Sequence, residues 1–173
     1  LVETKDKEVR LPSVYIYNIE ATYEATKHLL DKGIKNIAFI GVDKSSANAW
    51  GDRYIGYEKA LNEAGIPVDE DLVYFEGLKV KSGYVASEKF LASGKNFDGI
   101  ICASDEIAMG AINGLREKGV NTPEDVSVIG FNDNVVASYF YPKLTTVKQP
   151  SYDMGSVAMR MLIKILNNKP LEE

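Results

Sequence analysis

Four times along the chain a short apolar run gives way to a polar or glycine-containing loop, and then to an amphipathic segment that ends in glycine. The runs are NIAFIG (36–41), LVYFEG (72–77), DGIICA (98–103) and VSVIGF (126–131). Rich in Val, Ile and Phe, they read as buried parallel strands. The amphipathic segments close as LLDKG, NEAG, ASG and EKG. That spacing puts Gly33, Gly65, Gly94 and Gly119 where a helix wants a left-handed residue beyond its last turn. Strands alternating with helices in this way form right-handed crossover units. The expected fold class is therefore α/β: a parallel sheet flanked by helices on both faces, a three-layer sandwich.

The two ends depart from this alternation. LVETKDKEVRLP is charged and irregular, VYIYN (14–18) reads as a strand, and ATYEATKHLLDK (21–32) as a helix. After the fourth run, NDNVVASYFYPKLTTVKQP shows no clear period over most of its length, and SYDMGSVAMRMLIKILNNK reads as a final amphipathic helix. No strand follows it. In an alternating fold this is expected of a truncated chain or of a helix that belongs to a neighbouring lobe. Neither an internal repeat beyond the alternation nor a low-complexity segment is present.

Composition narrows the function classes. With 173 residues, 45% hydrophobic and 26% charged, the chain can bury a real core. A net charge of −5 makes it a poor grip for phosphates, so any nucleic-acid contact must come from elsewhere. The single cysteine, Cys102, excludes an internal disulfide framework and is compatible with a reducing cytoplasm, the expected location. All apolar runs fall well short of the roughly 18 residues of a membrane span, and no signal peptide is visible. Catalytic signatures are missing too. There is no GxGxxG after the first run and no GxxxxGK[ST]. The lone histidine, His28, sits within a helix with no partner for a metal, and Cys102 lies inside a buried strand. The expectation is a protein that is not an enzyme and carries no cofactor or metal.

In open parallel sheets, ligands bind at the carboxyl ends of the strands, where loops and helix N-termini gather. That rule selects GVDKSSANAWGDR, GLKVKS, ASDE and NDN, and so brings Arg53, Leu78, Ser104, Asp105, Asn132 and Asp133 to one edge. Carboxylates, amides and one forked guanidinium suit a hydroxylated small molecule. Plainer roles compete. Asp52, Ser104 or Asp105 could serve as helix N-caps. Trp50 could stack on a sugar ring or simply pack. Arg53 follows a good cap residue, Asp52, in what reads as a first helical turn. A cation there is unfavourable by roughly 0.3–1 kcal/mol, so it calls for a surface salt bridge or a ligand.

These residues have company that is specific in combination. EATKHLLDKGIKNIAFIG, DRYIGYEKALNEAGIP, FDGIICASDEIAMGAINGLREKGVNTPEDVSVIGFNDN and YPKLTTVKQPSYDMGSVAMRMLIKIL occur in that order. Together they resemble the effector-binding domain of the LacI/GalR family of bacterial transcriptional repressors, which has the periplasmic-binding-protein-like fold. The resemblance implies that the arginine of the RxxGY block, here Arg53, reaches effector hydroxyl or acidic groups. It places Ser104 and Asp105 on the family's (N/S)D block, Asn132 and Asp133 on its acidic pair after the fourth strand, and Asn18 on a further effector contact. Leu78 falls where several members stack an aromatic on the effector, and Tyr17 where many have Asp. The implied division is 1–18 as crossover and last strand of a mostly absent first lobe, 19–148 as the second lobe, and 149–173 as a helix returning toward the first. The helix-turn-helix that reads operator DNA would lie outside this chain.

Two partners are also implied. QPSYDMGSVAMRMLIKIL is similar to the catabolite control proteins, which respond to a phosphorylated HPr-type carrier protein. Tyr152, Asp153 and Arg160 would then meet that corepressor, with Arg160 on a phosphoserine, unless Arg160 is an ordinary solvated residue. The family's second lobe self-associates, which makes Tyr84, Met109, Tyr139, Phe140 and Tyr141 candidates for an exposed homodimer face, with core packing as the rival for Met109. The resulting expectation is the sensing and dimerisation domain of a regulator that takes a sugar-like effector or phosphorylated HPr. An exported sugar-binding transport component is the alternative.

Overall fold

The computed structural model describes residues 1–3, 11–43, 45 and 48–171; most of the charged N-terminal stretch and part of the loop after the first strand lie outside these. Its elements run α1 (Asn18–Asp31), β1 (Ile37–Ile40), α2 (Ala49–Glu63), β2 (Val73–Tyr74), α3 (Val80–Ala92), β3 (Gly99–Cys102), α4 (Asp105–Glu117), β4 (Ser127–Asn132), β5 (Thr145–Lys148) and α5 (Ser151–Leu166). The strands form one sheet in the order β2-β1-β3-β4-β5, every pairing parallel. From β1 the chain crosses to one side and from β3 to the other. Right-handed crossovers in opposite directions require helices on opposite faces, and α1 packs on α2 while α3 packs on α4. The expected three-layer α/β sandwich is what the chain adopts.

The core explains why the apolar runs had to be strands. Phe39, Ile40, Ile100, Ile101 and Cys102 are buried to within a few per cent, and β1 and β3 are buried at every position. A helix would have left one side of each run wet. Phe39 meets Tyr54 and Tyr57 of α2 at ring-centroid distances of 5.2 Å each, and the Tyr57 hydroxyl donates to the Ile37 carbonyl at 2.7 Å. On the other face the helices approach so closely that a Cβ on Gly110 would lie 1.9 Å from the Val80 carbonyl oxygen. Only glycine fits there.

Local expectations fare unevenly. Gly33, Gly65, Gly94 and Gly119 all take φ between +70° and +86°, as helix-ending residues should. VYIYN is not a strand: Val14 makes one isolated bridge to Val2, and α1 begins at Asn18, three residues earlier than its apolar pattern indicated. LVYFEG contributes only Val73 and Tyr74 as an edge strand, because a short 3-10 turn over Glu70–Leu72 uses its start. TTVK, read as irregular, is β5. It pairs with β4 as an edge strand exposed at both ends, so its β-branched residues never form a continuous apolar run.

Candidate functional site

Strand order reverses between β1 and β3, and their carboxyl ends open the crevice where such sheets bind ligands. Arg53 spans it. The N-cap of α2 is Asn48, whose side chain accepts from the backbone N–H groups of Trp50 and Gly51, so the first turn is Ala49–Asp52. Asp52 is therefore not the cap, and Arg53 begins the second turn, where the dipole penalty has faded. Nor is Arg53 on the surface: it is 2% exposed. Its Nε donates to Asn18 Oδ1 at 2.9 Å and its Nη1 to the Ala103 carbonyl at 2.6 Å. Its Nη2 stands 3.8 Å from Glu3 Oε2, and the guanidinium lies over the rings of Phe131 and Trp50 at 3.7 and 4.5 Å. Burial lowers its pKa to about 10, opposed by Glu3 and Asp105, which leaves a cation at neutral pH. Two of its five N–H groups are engaged by these hydrogen bonds.

Beside it is a cavity of about 260 Å³. Glu3, Ala49, Trp50, Arg53, Asn132, Asn134, Gln149 and Ser151 line it. Of the residues picked from sequence, Arg53, Asn132 and Trp50, the last weighed as either a stacking or a packing residue, reach this cavity, and Asn18 stands behind it as a brace. Ser104 is the N-cap of α4, accepting from Ile107 N at 3.3 Å. Leu78 packs on the hydrophobic core instead of lining the cavity. Asp133 is exposed, its N–H donating to Thr146 Oγ1.

Asp105 has a different task from the expected contact. It is fully buried, accepting from Thr146 Oγ1 at 2.5 Å on one carboxylate oxygen and from Asn134 N at 2.6 Å on the other. Burial, the larger effect, raises its pKa, while these hydrogen bonds pull the other way. Immediately before Asn134 the backbone turns through left-handed conformations at Asn132 (φ 109°) and Asp133 (φ 58°), sparsely populated for residues other than glycine. Asp105 thus clamps the loop that delivers Asn132 and Asn134 to the cavity. Gly130 makes room for it, since a Cβ there would meet Asp105 Oδ1 at 2.5 Å.

Sequence reasoning missed Gln149 and Ser151, and it selected the segment containing Asn134 without singling that residue out. Recognising β5 would have found the first two, because its carboxyl end lies on the same edge. No pattern signals Glu3, which comes from far along the chain. Among the described residues no cluster of His, Cys, Asp or Glu could hold a metal ion, and no helix is long and apolar enough to cross a membrane. Cys102 is a core residue whose thiol pKa burial drives upward, and His28 is exposed on α1.

Residues 26–173 match the family model of the periplasmic binding protein-like domain. The chain belongs to that family. The HTH-type transcriptional regulator RegA of Clostridium saccharobutylicum is 63% identical over 173 residues, covering 100% of this chain and 52% of RegA. Among solved structures, the transcription regulator CcpA of Lactococcus lactis superposes with a TM-score of 0.90 at 36% identity, over 99% of this chain and 62% of CcpA. A complex of the transcriptional regulator CelR with cellobiose gives 0.90 at 31% identity, over 99% of this chain and 53% of CelR. This periplasmic-binding-protein-like chain thus spans about half the length of the curated relatives it matches. Its relatives are LacI/GalR-type transcriptional regulators, not enzymes, which favours the regulatory expectation over the transport one.

The candidate protein-contact residues are scattered. Tyr139 and Tyr141 are 83% and 86% exposed, as an interface face requires. Met109, 8% exposed, is buried among the residues of α4, and Phe140 packs against the core with the Arg116 guanidinium 5.9 Å from its ring; the expectation of exposure fails for both. Tyr84 is half-buried at the α3–α4 contact, its hydroxyl bonded to Glu117, which raises its pKa to about 12. Tyr152, Asp153 and Arg160 are exposed along α5.

Proposed function

We propose that this chain is the sensing and self-association part of a LacI/GalR-type transcriptional regulator, with a small hydroxylated effector held at the carboxyl edge of the sheet. The observation that carries the reading is Arg53: a buried, doubly anchored cation that spans the switch point and borders a cavity ringed by amides and a hydroxyl. Such a set donates to and accepts from sugar hydroxyls with its geometry already paid for by folding. Residues 19–148 form the lobe that contains this edge, 1–18 and 149–173 connect it to a first lobe, and operator DNA is read by a helix-turn-helix elsewhere in the protein. Tyr139 and Tyr141 belong to the homodimer face. Effector binding favours one arrangement of the lobes and so changes the spacing of two DNA-reading heads. Both events take place in the cytoplasm.

The reading is tested by following operator binding of the full-length protein during titration with a sugar panel and with phosphorylated HPr. Operator affinity should change by about 5–150-fold with the true effector, the span typical of allosteric coupling. No change with any of them would overturn the sensing role. Phosphorylated HPr is the second effector candidate because Tyr152, Met159 and Arg160 share a surface groove of about 510 Å³ on α5. There the guanidinium of Arg160 can take a phosphoserine bidentately.

A further inference from the structure

Position 78 cannot supply an aromatic plate to the cavity: it is leucine, and it packs on the core. A different aromatic lines the cavity. Trp50, the sole tryptophan of the chain, lies in the first turn of α2 and lines the cavity wall. Partly buried, it packs on the core and also borders the cavity. The Arg53 guanidinium, immobilised by Asn18, the Ala103 carbonyl and the Phe131 ring, sits 4.5 Å from the indole centroid. With the Arg53 cation over one face of the indole, a ligand in the cavity meets the part of the ring that the core packing leaves uncovered. Around the cavity stand the uncharged donors and acceptors Asn132, Asn134, Gln149 and Ser151, together with the Glu3 carboxylate.

We infer that Trp50 is the specificity-determining aromatic of this site, selecting ligands that present an apolar ring face bordered by hydroxyls. The inference rests on the effector-site reading above. An indole face excludes water from one side of a bound ring while the amides satisfy its hydroxyl periphery, so affinity depends on the aromatic plate and not on apolar bulk alone. Arg53 then has two tasks, fixing the plate and reaching the ligand.

The experiment uses full-length wild-type protein and its Trp50→Phe and Trp50→Leu variants, titrated calorimetrically with D-glucose, D-galactose and cellobiose, with thermal midpoints and tryptophan emission recorded in parallel. Leucine keeps the apolar packing and removes the plate. For a sugar that binds the wild type, Trp50→Phe should bind within about threefold and Trp50→Leu at least about tenfold more weakly, with thermal midpoints close to wild type. The sugar-induced change in emission should be smaller in Trp50→Phe than in the wild type. Equal affinity of Trp50→Leu and wild type would show a packing residue and overturn the inference while leaving the effector site standing. Binding of none of the three sugars to the wild type would instead overturn the sugar-site reading, and the inference with it.

Discussion

Helices α4 and α5 carry similar amphipathic patterns and meet opposite fates. α4 buries nine of its 13 residues, from Asp105 to Leu115, between the sheet and α3. α5 buries only Met154 of its 16, and Leu162, Ile163 and Leu166 stand exposed. The difference teaches that amphipathic periodicity states that a face has to be covered without stating by what. For α4 the cover comes from elements within this chain. For α5 the described residues cover only Met154.

Substitutions can break or sharpen that contrast. The largest effect is expected at Gly110→Ala, where the new methyl collides with the Val80 carbonyl across the α3–α4 contact. A loss of more than about 3 kcal/mol in urea unfolding should follow, and a near-neutral result would mean the helices are less tightly apposed. Next comes Arg53→Ala, which leaves Asn18, the Ala103 carbonyl and Glu3 without their buried donor. Besides weakening effector binding, it should cost about 2–3 kcal/mol of stability, where a surface arginine would cost almost nothing. Unchanged stability would place Arg53 outside the buried frame.

A smaller, pH-dependent effect is expected at Asp105→Asn. Burial raises the folded-state pKa of Asp105, so the folded chain holds the proton more tightly than the unfolded one. The stability this contributes is fully present below the unfolded value and is lost as pH rises through the folded value. Wild type should therefore gain stability relative to Asp105→Asn as pH falls from 7 toward the carboxylate range, as followed by urea unfolding at each pH. The opposite slope would mean that the Thr146 and Asn134 hydrogen bonds outweigh burial. The smallest effect belongs to α5. A Cβ on Gly155 meets nothing within 4 Å, so Gly155→Ala should stabilise the helix by up to about 1 kcal/mol through propensity alone. Set beside Gly110→Ala, the same chemical change would then differ in sign between the two helices.

The strand runs and helix-ending glycines were legible because both depend on local rules: continuous burial demands continuous apolar sequence, and a left-handed turn demands glycine. β5 was not, since a half-exposed edge strand needs no apolar run. With β5 went Gln149 and Ser151, two of the residues that line the cavity. Ser104 and Asp105 were picked with two roles left open, effector contact or helix cap. Their residue types fit a cap, a clamp or a ligand contact equally, and only distances to Ile107, Thr146 and Asn134 separate these roles.

Arg53 marks the division most clearly. From sequence alone its place after the first strand, in an alternating chain, determined that it would lie at the carboxyl edge, because strand direction follows from the parallel topology. Whether it was a surface cation or a buried one was decided in three dimensions. Asn18, Ala103 and Phe131 lie far from it along the chain, and a guanidinium can be desolvated only where such partners converge to replace water. Periodicity records which residues avoid solvent; it holds no information on which distant groups meet.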